Sequence, residues 1–126
     1  MIVEDNSLMR LSLALALVQD DVEIISAING IDGLLLFHDY DGKFDAILTD
    51  NEMPKMAGLE FVEAIRKEGY SGRIVVMSGG MTPTRLKEFQ EYSIDAFLAK
   101  PFVMGDIIVA MKTTGRTDKI DISLLS

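Results

Sequence analysis

Apolar residues follow two rhythms along this chain. Short apolar runs alternate with longer stretches in which apolar residues recur at helical spacing. Met1-Ile2-Val3, Glu23 to Ala27, Ala46 to Leu48, Arg73 to Met77 and Ala96 to Ala99 read as strands. The first is shorter than the usual five or six residues, so weak pairing is expected there. Between the runs, helices are expected over about Leu8 to Val18, from Ile31 through His38, over Gly58 to about Glu68, from Pro83 through Phe89, and over about Met104 to Thr113.

The faces of these helices follow from the same spacing. In the first, Met9, Leu13 and Leu17 form one stripe and Leu8, Leu11, Leu15 and Val18 a second. One packs on the sheet; the other widens the apolar face or docks a partner helix. In the second helix Ile31, Leu34, Leu35 and His38 share a face. In the third, Leu59, Val62 and Ile65 give the inward period, with Phe61 on the same side. Leu86 and Phe89 point inward from the fourth, and Ile107, Ile108 and Met111 share a face of the fifth. Asn6 or Ser7 can cap the first helix and Thr82 the fourth, with Pro83 at its first position. Asn29-Gly30, Asp41-Gly42, Gly69 to Gly72 and the Pro54 to Gly58 stretch mark turns.

Strand and helix alternate five times, which predicts an α/β domain: a parallel sheet with helices on both faces. Right-handed crossovers then gather every strand's carboxyl end at one edge, where open α/β sheets hold their ligands. Glu4, Asp5, Asp50, Ser78 and Lys100 all fall at such ends.

Composition narrows the picture. The 126 residues suit one domain, and 48% hydrophobic with 25% charged residues is ordinary for a globule. No cysteine is present, which excludes disulfides, thiol catalysis and zinc–thiolate sites and fits a reducing, cytoplasmic setting. No apolar run approaches a membrane span and no signal peptide is visible, so membrane insertion is not expected. A net charge of −8 without a basic patch argues against direct nucleic-acid binding.

Some of that negative charge is placed for chemistry. Carboxylates gathered at one edge repel and raise one another's pKa, and a hard divalent cation relieves this. Asp5 and Asp50 suit direct Mg²⁺ ligands, with Glu4 holding a metal-bound water. Asp50 is then also placed to attack a phosphorus in line. Lys100 would neutralise the incoming anion and the Ser78 hydroxyl would hydrogen-bond it. Singly, Lys100 reads as a solvated strand-end lysine and Ser78 as a turn former; together with the acids, in this order, they read as one site. His38, the single histidine, could carry a phosphoryl group or a metal, but a lone histidine at a helix end is more often structural.

The acid pair Glu4-Asp5, the segment Leu48-Thr49-Asp50-Asn51-Glu52-Met53-Pro54-Lys55-Met56-Ala57-Gly58, Ser78 and Lys100-Pro101-Phe102 resemble the receiver domain of two-component response regulators, in order and spacing. Asn29-Gly30 matches that family's loop after strand two. The resemblance covers roughly residues 1–114. It implies a flavodoxin-like, doubly wound (βα)5 fold with strand order 2-1-3-4-5, a phosphoacceptor at Asp50, and Mg²⁺ at Glu4, Asp5, Asp50 and the backbone carbonyl of Glu52. It implies a phosphohistidine donor on a sensor histidine kinase or histidine phosphotransfer protein, a downstream protein target, and room for a homodimer. It also implies a switch in which Ser78 moves toward the phosphoryl group and Phe97 turns inward, altering the face made by helix four, strand five and helix five. Such a domain is no turnover enzyme but promotes its own phosphorylation and dephosphorylation.

Three features depart from the family's pattern. Strand one is short. Ser78 is followed by Gly79-Gly80 where a small non-glycine residue is usual, which loosens the loop. Glu52 adds a charge beside the site, where it is expected to alter the phosphoryl lifetime. Phe97 fits the family's aromatic switch position, where Tyr is also common; without a hydroxyl, its signal must be carried by shape. Residues 115–126 read as a tail without an output domain, as in a single-domain regulator or an excised receiver. The alternatives are a receiver-like interaction module that is never phosphorylated, an Asp-nucleophile phosphatase of the haloacid-dehalogenase type, and a flavin binder. The phosphatase fits poorly because its nucleophile follows strand one. The flavin binder fits poorly because the loop after strand one lacks a phosphate cradle.

Overall fold

The computed structural model describes residues 1–112. Its elements run β1 (Ile2–Val3), α1 (Ser7–Leu17), β2 (Ser26–Ala27), α2 (Gly30–Asp39), β3 (Ala46–Asp50), α3 (Gly58–Lys67), β4 (Arg73–Ser78), α4 (Pro83–Gln90), β5 (Ala96–Ala99) and α5 (Met104–Lys112). Thr113, the expected end of the last helix, and the 115–126 tail lie outside the described residues. The strands form one parallel sheet in the order β2-β1-β3-β4-β5, as the resemblance implies.

Alternation along the central strands divides the core in two. Val3, Ile47, Ile74, Val76 and Phe97 face α2, α3 and α4, where Phe37, Phe61, Ile65 and Phe89 meet them. Ile2, Leu48, Val75, Met77 and Leu98 face α1 and α5, where they meet Leu13, Leu17, Ile107 and Ala110. β1 stands between β2 and β3, so the chain leaves it first to one side and later to the other. A crevice opens at such a reversal, at the carboxyl ends of the strands.

Among the described residues, three helix starts carry side-chain caps, those of α1 and α4 as expected. Asn6 Oδ1 accepts from the Met9 amide at 2.8 Å, Asn29 Oδ1 from Asp32 at 2.8 Å and Thr82 Oγ1 from Arg85 at 3.1 Å. The Met9, Leu13 and Leu17 stripe of α1 packs inward, leaving Leu8, Leu11, Leu15 and Val18 exposed.

One expectation needs correction. The β2 run is confined to Ser26–Ala27, because β1 offers only Ile2 and Val3 for it to pair with. The Ile25 carbonyl still accepts from the Ile2 amide at 2.8 Å. On α2 the buried face is Gly30, Gly33 and Phe37, while Ile31, Leu35 and His38 are exposed and only Leu34 of that stripe is half-buried. At Gly30 the helix lies too close to its neighbours for a side chain: a Cβ there would stand 2.7 Å from the Met56 carbonyl oxygen.

Candidate functional site

Strand register brings the polar strand ends together. Val3 pairs with Thr49, so Glu4 follows at the level of Asp50. Asp50 pairs with Met77, so Ser78 is one residue further along β4. Ser78 pairs with Ala99, so Lys100 follows at the same rim. Gly58 fixes the return of the chain after Asp50. A Cβ there would meet the Asp50 carbonyl oxygen at 2.5 Å, so α3 could not start so close with any larger residue.

The five residues anticipated from the strand ends are therefore neighbours. Carboxylate oxygens of Glu4, Asp5 and Asp50 lie within 4.8 Å of one another. Lys100 Nζ is 3.1 Å from Asp50 Oδ1 and 3.7 Å from Glu4 Oε1. Asp5 is exposed, whereas Glu4 and Asp50 are only 1% and 2% exposed. Burial and then the neighbouring Asp50 charge push Glu4 up to about 7, against the lowering effect of the Asn6 amide. Burial raises Asp50 as well, opposed chiefly by Lys100. Burial alone would lower Lys100, but Asp50, Glu4 and Glu52 outweigh it and hold its pKa above the usual lysine value.

The donor set fits a hard cation. Glu4 Oε2 accepts from the Asn6 amide at 3.0 Å, but Glu4 Oε1 is buried without a hydrogen-bond partner. A buried carboxylate oxygen in that position, beside two further carboxylates, suits Mg²⁺ through oxygen ligands and water. Among the described residues this is the one group of acids and histidines so gathered. His38 is not part of it: its Nε2 pairs with Glu68 at 2.7 Å on the exposed side of α2.

Other polar contacts at this edge were not legible from residue order. Glu52 reaches across from the β3–α3 loop, and its carboxylate accepts from the Ser78 hydroxyl and the Gly79 amide, each at 2.7 Å. The Glu52 amide donates to Asp50 Oδ1 at 3.4 Å. Arg10 of α1 donates to the Glu4 carbonyl at 2.7 Å and steadies the turn after β1. Loop conformation decides these pairings, and no spacing rule foretells it. Phe97 is fully buried, edge-on to Phe89 with ring centroids 5.1 Å apart.

Comparison with known proteins bears on the same segment. Residues 1–112 match the family of response regulator receiver domains. The transcriptional regulatory protein FlgR of Helicobacter pylori is 37% identical over 102 residues, which cover 80% of this chain and 25% of FlgR. The peroxide stress-activated histidine kinase mak3 of Schizosaccharomyces pombe is 32% identical over 114 residues, 86% of this chain and 5% of that protein. The chain thus spans only a fraction of the length of these relatives. Among solved structures, the N-terminal domain of a Wolinella succinogenes protein superposes with a TM-score of 0.80 at 30% identity, covering 88% of each chain.

Proposed function

The chain belongs to the family of response regulator receiver domains, and on that premise we propose that Asp50 is its phosphoacceptor. The register that sets Lys100 3.1 Å from Asp50 and Glu4 alongside carries this reading. A receiver is a signalling module of two-component systems rather than a turnover enzyme, and receivers pair with histidine kinases. The acidic cluster is typical of a receiver's Mg²⁺ site. Glu4, Asp5 and Asp50, with the Glu52 backbone carbonyl, would hold Mg²⁺, which supplies positive charge to the phosphoryl oxygens when bound.

The chain's own groups do the rest. Asp50 Oδ1 already accepts from Lys100 and from the Glu52 amide, which leaves Oδ2 to attack phosphorus. With a phosphohistidine donor, the new bond is carboxylate oxygen to phosphorus. The phosphorus–nitrogen bond breaks, and its electron pair returns to the imidazole, which takes up a proton. Lys100 neutralises one phosphoryl oxygen and the Ser78 hydroxyl donates to another. Water attack on the same phosphorus later restores the free Asp50 carboxylate. The donor is a sensor histidine kinase or a histidine phosphotransfer protein.

The readout runs through Ser78 and Phe97. Phe97 is already buried against Phe89, so this switch works by repacking the face of α4, β5 and α5 rather than by exposing a hydroxyl. A downstream protein recognises that face. The receiver unit spans 1–114.

Incubation with Mg²⁺ and a small acyl phosphate tests the assignment. The native chain gains one phosphoryl mass and Asp50→Asn does not. A gain that survives in Asp50→Asn would refute it.

A further inference from the structure

The Ser78 hydroxyl has one proton, and that proton is engaged. It is donated to Glu52 Oε2 at 2.7 Å, while Glu52 Oε1 accepts from the Gly79 amide at 2.7 Å. The Ser78 oxygen in turn accepts from the Gly80 amide at 3.2 Å. One exposed carboxylate thus straps the β3–α3 loop to the start of the β4–α4 loop. Both of its oxygens are used, each on a donor at or next to the residue that serves a phosphoryl group on Asp50.

We propose that Glu52 is a positioning residue that acts as an internal stand-in for the phosphoryl group, holding the Ser78 hydroxyl and the Gly79 amide until a phosphoryl group on Asp50 displaces it. The inference rests on the phosphoacceptor reading above and adds to it a regulation of the same site. A hydroxyl cannot donate its single proton to two acceptors, so occupation by Glu52 and by the phosphoryl group exclude one another. The contact is charge-assisted and therefore not a negligible competitor. The strap also restrains the Gly79-Gly80 turn, which these glycines alone would leave loose. A Cβ on Gly79 would have Glu52 Oε1 as its nearest neighbour at 3.7 Å, so no backbone or core packing holds this turn from that side.

Competition for a proton differs from simple charge repulsion in its dependence on Ser78. The test is the affinity of the full chain for beryllofluoride in Mg²⁺, read by fluorine NMR, in Glu52→Ala, Ser78→Ala and the double variant. Glu52→Ala is expected to tighten binding about 10-fold, the scale of one charge-assisted hydrogen bond at an exposed site. Glu52→Gln falls between, because its amide oxygen still accepts from one donor. In the Ser78→Ala background the Glu52→Ala effect shrinks to less than about 3-fold, because the contested proton is gone. Before any Mg²⁺ or beryllofluoride is added, the Gly79 amide loses hydrogen-exchange protection in Glu52→Ala. An equal tightening in both Ser78 backgrounds would assign the effect to repulsion and overturn the proposal. So would unchanged affinity, or unchanged Gly79 protection. If the native chain shows no beryllofluoride binding that depends on Asp50, the phosphoacceptor reading fails and this proposal falls with it. Asp50-dependent binding that is indifferent to Glu52 overturns this proposal alone.

Discussion

Glu4 is where function and stability pull against each other, and Glu4→Gln separates them. Its carboxyl is 1% exposed and its pKa stands at about 7 in place of 4.5, chiefly because burial disfavours the charge. A raised acid pKa means that the folded chain holds more protons than the unfolded chain between those values. Stability therefore falls as pH rises from about 4.5 to 7, and the whole penalty is in force above 7. The shift corresponds to a penalty on the order of 3 kcal/mol. Glu4→Gln keeps the side-chain shape, and its amide oxygen can still accept from the Asn6 amide, now at 3.0 Å from Oε2. It forfeits the 3.7 Å pairing with Lys100, which retains Asp50 at 3.1 Å. The net expectation in metal-free buffer at pH 8 is a gain of about 1–2 kcal/mol, raising the melting temperature by roughly 4–12 °C. Circular-dichroism melts from pH 4 to 8.5 in a chelator would read this. The difference between variant and native should vanish near pH 4.5 and grow to its full size above 7. Added Mg²⁺ should stabilise the native chain more than the variant, because binding to the folded state alone adds stability that grows with the logarithm of affinity. Equal melting at pH 8, or a difference that does not change with pH, would refute the reasoning.

Other substitutions probe other links. Lys100→Met removes the cation now balancing Asp50 and Glu4, so Mg²⁺ should bind several-fold tighter while Mg²⁺-dependent beryllofluoride binding weakens by about 10-fold or more, both measurable by titration. Arg66→Ala should cost about 2–4 kcal/mol in urea unfolding, because the half-buried guanidinium donates to the carbonyls of Tyr70, Gly72, Tyr92 and Ser93 and ties α3 to the segments before β4 and β5. Gly58→Ala should cost roughly 1–3 kcal/mol in the same assay and weaken Mg²⁺ binding as well, since the added methyl presses on the Asp50 carbonyl.

The order of elements and the rim of polar strand ends were legible because they depend on local rules. Apolar runs and helical periods set the elements, and parallel connections bring the strand ends to one edge. Leu59, Phe61, Val62 and Ile65 are all buried on α3, as their spacing requires. On α2 the apolar stripe is not the buried face, which Gly30, Gly33 and Phe37 form. An apolar stripe shows where side chains are large, whereas Gly30 and Gly33 mark where there is no room for them. Strand β2 was overlong in prediction because Glu23 to Ile25 has strand-like composition, while pairing depends on how much of β1 stands opposite. At the site, residue types and strand positions brought together Glu4, Asp5, Asp50, Ser78 and Lys100. The burial that raises Glu4, and the reach of Glu52 to Ser78 and Gly79, are properties of folded loops and have no signature in spacing.

Asp50 as the acceptor is the premise on which every role proposed for this site depends. The most direct measurement is to phosphorylate the chain from a phosphohistidine donor in Mg²⁺, reduce it with borohydride, and map the peptides by mass spectrometry. Reduction converts an aspartyl phosphate to homoserine. Homoserine is expected at position 50, present only after donor treatment and absent in Asp50→Asn. Homoserine at another aspartate, or a stable phosphoryl mass on His38, would contradict it.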